Sequence, residues 1–205
     1  MTRIKICGNT NPQDVELAAE LGVDLLGFIF TSSKRRVSVE DARALTASLP
    51  PSVERVGVFI DEAVKEIARA VAACQLTGIQ VYRPVNQDDR SLGVKLFPAF
   101  RVRMGDSLRD LRFEDGDHPL LDTWAADMVG GGTGRSWSWA DAIPLAIRYP
   151  IVVSGGLNPD NVGDAIAELK PWGVDVCSGV ESEPGRKDPA KLRAFIAAVR
   201  QADRK

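Results

Sequence analysis

Short apolar runs alternate along the whole chain with longer amphipathic stretches. The runs are rich in Val, Ile and Phe and are bounded by Gly, Asp or Ser, which is the pattern of buried β-strands. Predicted strands span residues 3–7, 25–30, 55–59, 77–81, 120–122, 151–154 and 174–177, with a weaker one at 94–97. Predicted helices span 12–21, 39–49, 62–73, 139–148, 159–169 and 189–202.

This alternation predicts an α/β protein with parallel strands and helical crossovers. Eight strand signals favour a single (β/α)8 TIM barrel, formed as one domain by residues 1–205. Segment 85–117 is too short for two full helical crossovers, so we expect a barrel trimmed around the fourth and fifth crossovers. An open doubly wound sheet is the alternative, although no G-x-G-x-x-G motif follows the first strand and no Walker A motif is present.

Two helix starts carry capping patterns. Ser38 precedes an acidic first turn, and Asn158 precedes Pro159, so each residue is predicted to be an N-cap.

Composition restricts the kinds of partner that the protein is expected to bind and the cellular compartment in which it is expected to lie. The chain has 26 basic and 28 acidic residues and a net charge of −2, which favours neither nucleic acid nor a membrane surface. We expect a small-molecule partner and a monomer or homodimer. The three cysteines lack disulfide or zinc spacing, and no signal peptide is recognisable, which together predict a cytoplasmic protein.

Candidate chemistry lies where strands of a barrel end, because active sites form at that edge. Cys7 ends the first strand and Asp122 the sixth. Cys7 could also be a small packing residue, and Asp122 could cap a loop. Lys5 shares a strand face with Cys7, so it should point inward and needs a partner; Asp175 on the neighbouring last strand is the candidate. Lys5 would then help to lower the pKa of the thiol.

Glycine-rich loops follow the last two strands. The pairs Gly155–Gly156 and Ser178–Gly179 could present backbone N–H groups to a phosphate, or could only permit tight turns. Residues 130–135 form a further glycine-rich loop, which is typical of an active-site lid or of a plain linker.

These motifs together resemble the phosphoribosylanthranilate isomerase family of tryptophan biosynthesis. The resemblance covers nearly the whole chain and rests on Lys5–Gly8, Gly27–Phe30, Ser33–Arg35, Val56–Phe59, Leu120–Thr123, Gly131–Gly134, Ser154–Leu157 and Val174–Glu181. It implies an Amadori rearrangement of a phosphorylated sugar without metal or cofactor.

The resemblance also implies residue roles. Asp122 would be the general acid and Cys7 the general base, which requires a raised carboxyl pKa and a lowered thiol pKa. Arg35, or its neighbour Arg36, would face the substrate carboxylate. The other substrate-binding positions that the resemblance implies are Gln80, Gly132, Gly155, Gly156, Ser178 and Gly179.

The chain departs from the family at several positions. After the fourth strand it reads Gln80-Val81-Tyr82-Arg83 where the family usually has Gln-Leu-His-Gly. Cys177 replaces a usual serine, and Asn9 replaces a usual aliphatic residue.

Other functions stay open at this point. A histidine-pathway or bifunctional aminoaldose isomerase would carry a carboxylate in place of Cys7. A catalytically inactive phosphate-binding barrel would agree with the altered strand-four motif. A thiol redox sensor would use Cys7 without any isomerase activity.

Overall fold

The computed structural model describes residues 1–103, 105–123 and 138–204. Eight parallel strands form a closed barrel, in which each strand pairs with the next and β1 pairs with β8. The barrel strands are β1 (Arg3–Ile6), β2 (Leu25–Ile29), β3 (Glu54–Phe59), β4 (Gly78–Val81), β5 (Lys95–Val102), β6 (Leu120–Thr123), β7 (Val152–Val153) and β8 (Gly173–Val176). The predicted α/β class and the closed barrel are therefore confirmed.

Helices surround the barrel, and a small antiparallel hairpin follows its last strand. The helices are α1 (Pro12–Glu20), α2 (Val39–Ala47), α3 (Val64–Cys74), α4 (Gln87–Ser91), α5 (Ile143–Arg148), α6 (Val162–Leu169) and α7 (Pro189–Ala202). Short 3-10 helices span Trp139–Ala142 and Ser178–Val180, and the hairpin consists of β9 (Glu181–Glu183) and β10 (Arg186–Lys187).

The crossovers around β5 are reduced, as the sequence predicted. Helix α4 has only five residues, and the described part of the next crossover, residues 103 and 105–119, contains no helix. Strand β5 is longer than predicted because it continues past Pro98, which pairs with Val81.

One predicted cap is confirmed and the other is wrong. The Ser38 side chain accepts from the Asp41 N–H at the start of α2. Helix α6 instead begins at Val162 after Asn161, because Asn158 accepts from the N–H groups of Asp160 and Asn161 and so forms a turn first.

Apolar side chains fill two regions. A large cluster packs the helices against the outside of the barrel, and a smaller one fills its interior. The interior cluster consists of Leu25, Val56, Phe97, Ala99, Leu120 and Val152. Within the described ranges, no helix combines the length and the apolar character that a membrane span requires.

Candidate active site

The carboxyl ends of the barrel strands bring the predicted acid and base to one mouth. Cys7 directly follows β1, and Asp122 lies in β6 on another side of the closed barrel. Leu120 belongs to the interior cluster, and side chains two residues apart on a strand share a face, so Asp122 also points inward.

A buried ion pair lies beneath this mouth. Lys5 Nζ donates to Asp175 Oδ1 over 2.9 Å, and Ser154 Oγ donates to Asp175 Oδ2 over 3.1 Å. The predicted pairing of Lys5 with Asp175 is thus confirmed. Burial opposes the charge of Lys5, but the Asp175 carboxylate and Cys7 outweigh burial and raise the Lys5 pKa. Lys5 is therefore a permanent cation below the thiol.

The Cys7 thiol is enclosed, with 6% of the residue exposed. Burial raises its pKa, and the positive charges of Lys5 and Lys187 offset only part of that effect. The sequence-based expectation of a lowered thiol pKa is therefore wrong, because desolvation of the thiolate outweighs the neighbouring cations. A Cβ on Gly27 would lie 2.8 Å from Cys7 Sγ, so glycine on the adjacent strand makes room for the sulfur.

The Asp122 carboxyl is also held toward its neutral form. Burial raises its pKa, and the hydrogen bond from Tyr82 works in the opposite direction but is weaker. This is the direction that a general acid requires. The Tyr82 hydroxyl donates to Asp122 Oδ2 over 2.8 Å.

Arg35 lies at the mouth, whereas Arg36 turns away from it. Arg35 Nε and Nη2 donate to the Glu181 carboxylate over 2.8 Å and 2.5 Å. A Cβ on Gly8, directly after Cys7, would lie 2.7 Å from Arg35 Cδ. Arg36 is exposed, and its Nε donates to a backbone carbonyl. Among the described residues, no hydrogen bond uses Arg35 Nη1, which leaves one edge of this guanidinium for an anion.

The hairpin after β8 supplies the buried charges that hold Arg35. Lys187 Nζ donates to the Cys7 carbonyl over 2.5 Å and to Glu181 Oε1 over 3.1 Å. Burial opposes the charge of Glu181, but Arg35 and Lys187 outweigh it and lower the Glu181 pKa. Cys177 lies beside this cluster, and burial, followed by the charge of Cys7, raises the Cys177 pKa to about 12.

The glycine loops after β7 and β8 touch each other. Gly155 and Gly156 have φ values of 81° and 71°, which favour glycine. A Cβ on Gly155 would lie 2.2 Å from the Thr123 nitrogen, and one on Gly179 would lie 1.9 Å from the Leu157 oxygen. Among the described residues, the N–H groups of Gly155 and Gly156 donate to no protein acceptor, so they are available to a ligand.

A side-chain hydrogen bond holds the loop after β7, because Asn161 Nδ2 donates to the Gly156 carbonyl over 2.9 Å. In the loop after β8, Ser178 begins the 3-10 helix and is exposed. Two successive loops thus offer backbone N–H groups at the same edge, as in phosphate sites of this fold.

Two predicted substrate-binding positions remain, Gln80 and Gly132. Gln80 is 1% exposed inside β4, and its Nε2 donates to the Tyr82 hydroxyl over 3.1 Å, so its contact with a substrate stays a prediction. Gly132 lies outside the described residues, as does the predicted lid at residues 130–135.

The structure adds residues that the sequence patterns did not single out, namely Tyr82 as a partner of Asp122, and Glu181 and Lys187 as partners of Arg35 and the first strand. Their contacts join segments far apart along the chain. The sequence signals for these residues were the departure at Tyr82 from the strand-four motif and the position of Glu181 at the end of the resemblance motif Val174–Glu181. In the part of the chain that the structure describes, no group of three or more His, Cys, Asp or Glu side chains could hold a metal ion.

Comparisons with known proteins agree with this arrangement. The model of the N-(5'-phosphoribosyl)anthranilate isomerase family matches residues 4–198. A protein of that name from Pseudomonas putida is 42% identical, with 98% of each chain covered. The solved phosphoribosyl anthranilate isomerase of Thermotoga maritima is 37% identical with a TM-score of 0.89, over 98% of this chain and 100% of that one. A solved isomerase in complex with reduced 1-(o-carboxyphenylamino)-1-deoxyribulose 5-phosphate is 36% identical with a TM-score of 0.86 and the same coverage.

Fold and mouth together define a (β/α)8-barrel enzyme with a carboxyl, a thiol and, among the described residues, unpaired backbone N–H groups at the ends of its strands. The full-length matches then give the particular family. This chain belongs to the N-(5'-phosphoribosyl)anthranilate isomerases.

Proposed function

We propose that this protein converts N-(5'-phosphoribosyl)anthranilate to 1-(2-carboxyphenylamino)-1-deoxyribulose 5-phosphate in the biosynthesis of tryptophan. The observation that carries the proposal is the placement of Asp122 and Cys7 on different sides of one barrel mouth, with burial raising the carboxyl pKa. Family membership supplies the substrate.

The first step is proton transfer from the neutral Asp122 carboxyl to the ring oxygen of the ribose. The ring C–O bond breaks, and the nitrogen lone pair forms a Schiff base at C1'. A carboxyl that stays protonated near neutral pH is suited to this step, and its burial in the mouth favours that form.

The second step is removal of the C2' proton by the Cys7 thiolate. The electrons of the C–H bond neutralise the iminium and give an enolamine, which then tautomerises to the ketone. Since burial raises the thiol pKa, the thiolate is the minor form at neutral pH, and the cations Lys5 and Lys187 are what stabilise it. The isomerase rate should therefore increase with pH until loss of the Asp122 proton, or the substrate itself, limits the rate.

Binding uses the two ends of the substrate. The loops at Gly155–Gly156 and Ser178–Gly179 would hold the phosphate through backbone N–H groups. Arg35, fixed by Glu181, would face the anthranilate carboxylate with Nη1. Gln80 and Gly132 stay further candidates for substrate contact, and monomer or homodimer stays the prediction for the assembly.

The test compares three variants by the decay of substrate fluorescence. We expect Cys7→Ala and Asp122→Asn each to lose at least about a hundredfold in kcat, the scale of lost acid–base help. Cys74→Ala removes a buried thiol at the end of α3, away from the mouth, and is the matched control that should keep its activity. If Cys7→Ala turns over like the unmodified protein, Cys7 is not the base.

A further inference from the structure

The Tyr82 hydroxyl joins two side chains at the barrel mouth. It donates to Asp122 Oδ2 over 2.8 Å and accepts from Gln80 Nε2 over 3.1 Å. Because the Gln80 amide supplies a hydrogen to the hydroxyl oxygen, the hydroxyl hydrogen is directed toward Asp122. The three residues form one directed chain of hydrogen bonds that ends on the carboxyl.

Tyrosine suits this place because β4 and β6 are not neighbours. Strand β5 lies between them, and neighbouring strands are about 4.8 Å apart, so the contact must cross roughly 10 Å between the two backbones. The pairing of Val81 with Pro98 puts Tyr82 level with Ala99, a small member of the interior cluster against which Tyr82 packs. The guanidinium of Arg101 lies over the ring, 4.9 Å from its centroid.

We propose that Tyr82 is a positioning residue for Asp122: its hydroxyl engages Oδ2 as an acceptor and so leaves the acid proton on Oδ1. A neutral carboxyl accepts best through its carbonyl oxygen, so the engaged oxygen is the one without the proton. Among the described residues, no hydrogen bond reaches Asp122 Oδ1. The inference rests on the proposed function, in which Asp122 gives that proton to the ring oxygen.

The same hydrogen bond stabilises the carboxylate that forms when the proton leaves. The other charged groups that act on Asp122 are Asp175, Lys5 and Arg101, from β8, β1 and β5. Replacing Tyr82 by Phe keeps the ring and all three of these charges in place. Any change in the titration of Asp122 then reports the loss of the hydroxyl alone.

The first readout needs no turnover. Protein labelled with 13C-aspartate is titrated by NMR, and the Asp122 carboxyl signal is identified by its loss in Asp122→Asn. We expect Tyr82→Phe to raise the Asp122 pKa, because a donor to the charged form has been removed. Tyr149→Phe is the matched control, since Tyr149 is the other tyrosine of the chain and, within the described ranges, its hydroxyl takes part in a single hydrogen bond, accepted from the Phe113 N–H. An unchanged Asp122 titration in Tyr82→Phe overturns the inference.

The second readout is the pH profile of kcat. At acidic pH, where Asp122 is protonated in both proteins, we expect Tyr82→Phe to be about tenfold slower, the scale of one hydrogen bond to a charged group. The difference in kcat should narrow as the pH rises through the Asp122 pKa, because the variant keeps more of its Asp122 protonated there. KM should stay unchanged. A loss of kcat by the same factor at every pH indicates a merely structural role and overturns the inference.

The two proposals can fail separately. If the unmodified protein has no isomerase activity, the proposed function fails, and the positioning role falls with it even where the NMR shift is seen. If the unmodified protein turns over and Asp122→Asn does not, but Tyr82→Phe matches Tyr149→Phe in both readouts, only the role of Tyr82 is overturned.

Discussion

At the scale of single residues, burial sets the chemistry of the mouth. It raises the pKa of both Asp122 and Cys7, which favours the neutral carboxyl but disfavours the thiolate. Lys5 offsets part of the second effect and is itself held charged by Asp175. The buried pair therefore stabilises the Cys7 thiolate, and it makes the barrel interior sensitive to the loss of either partner.

The stability of the barrel should depend on this pairing. We expect Lys5→Met to lower the free energy of unfolding by about 3–5 kcal/mol, because it leaves the Asp175 carboxylate buried and unpaired. Lys5→Met combined with Asp175→Leu should recover most of that loss, since neither charge of this pair is then left buried without its partner. Urea unfolding of the single and double variants measures both. If Lys5→Met alone unfolds at the same urea concentration as the unmodified protein, the buried pair does not stabilise the barrel as described.

At the scale of elements, the proposed phosphate site depends on contact between the loops after β7 and β8. A Cβ on Gly179 would lie 1.9 Å from the Leu157 oxygen, which is far closer than any side-chain carbon can approach. The loop after β8 therefore sits against the loop after β7 only because residue 179 is glycine. The N–H groups that should bind phosphate are positioned by this contact.

Gly179→Ala should accordingly push the two loops apart. We expect KM for the substrate to rise about tenfold or more, the scale of one lost hydrogen bond to a charged group. The matched control is Gly163→Ala in α6, where an added Cβ meets nothing within 4 Å. That variant should keep its KM and gain roughly 0.5–1 kcal/mol of stability as a helical Gly-to-Ala change. Equal KM values for the two variants would show that the loop contact is not needed for binding.

The elements also show what the sequence could predict. The apolar runs predicted the strands, because buried parallel strands are apolar on both faces. The prediction of Ser38 as an N-cap was right, whereas that of Asn158 was wrong. The Asn158 side chain forms a turn before the helix, and Asn161 is the N-cap residue instead. The contact between Tyr82 and Asp122 spans two non-adjacent strands, and no local pattern encodes such a contact.

At the scale of the whole molecule, closure of the barrel creates the site. Lys5 and Asp175 lie 170 positions apart, and they meet only because β1 pairs with β8. Closure was predictable from the number and spacing of the strands, as was the reduced crossover around α4. The hairpin of β9 and β10, which brings Glu181 and Lys187 to the mouth, was not, because short polar strands carry little pattern.

The central claim is that this barrel isomerises N-(5'-phosphoribosyl)anthranilate. The most direct measurement mixes the purified protein with that substrate and follows the loss of substrate fluorescence together with the mass spectrum of the product. The account predicts a loss whose rate is proportional to the protein concentration, with one product of unchanged mass that is a ketose. Substrate decay no faster with the protein than without it would contradict the account.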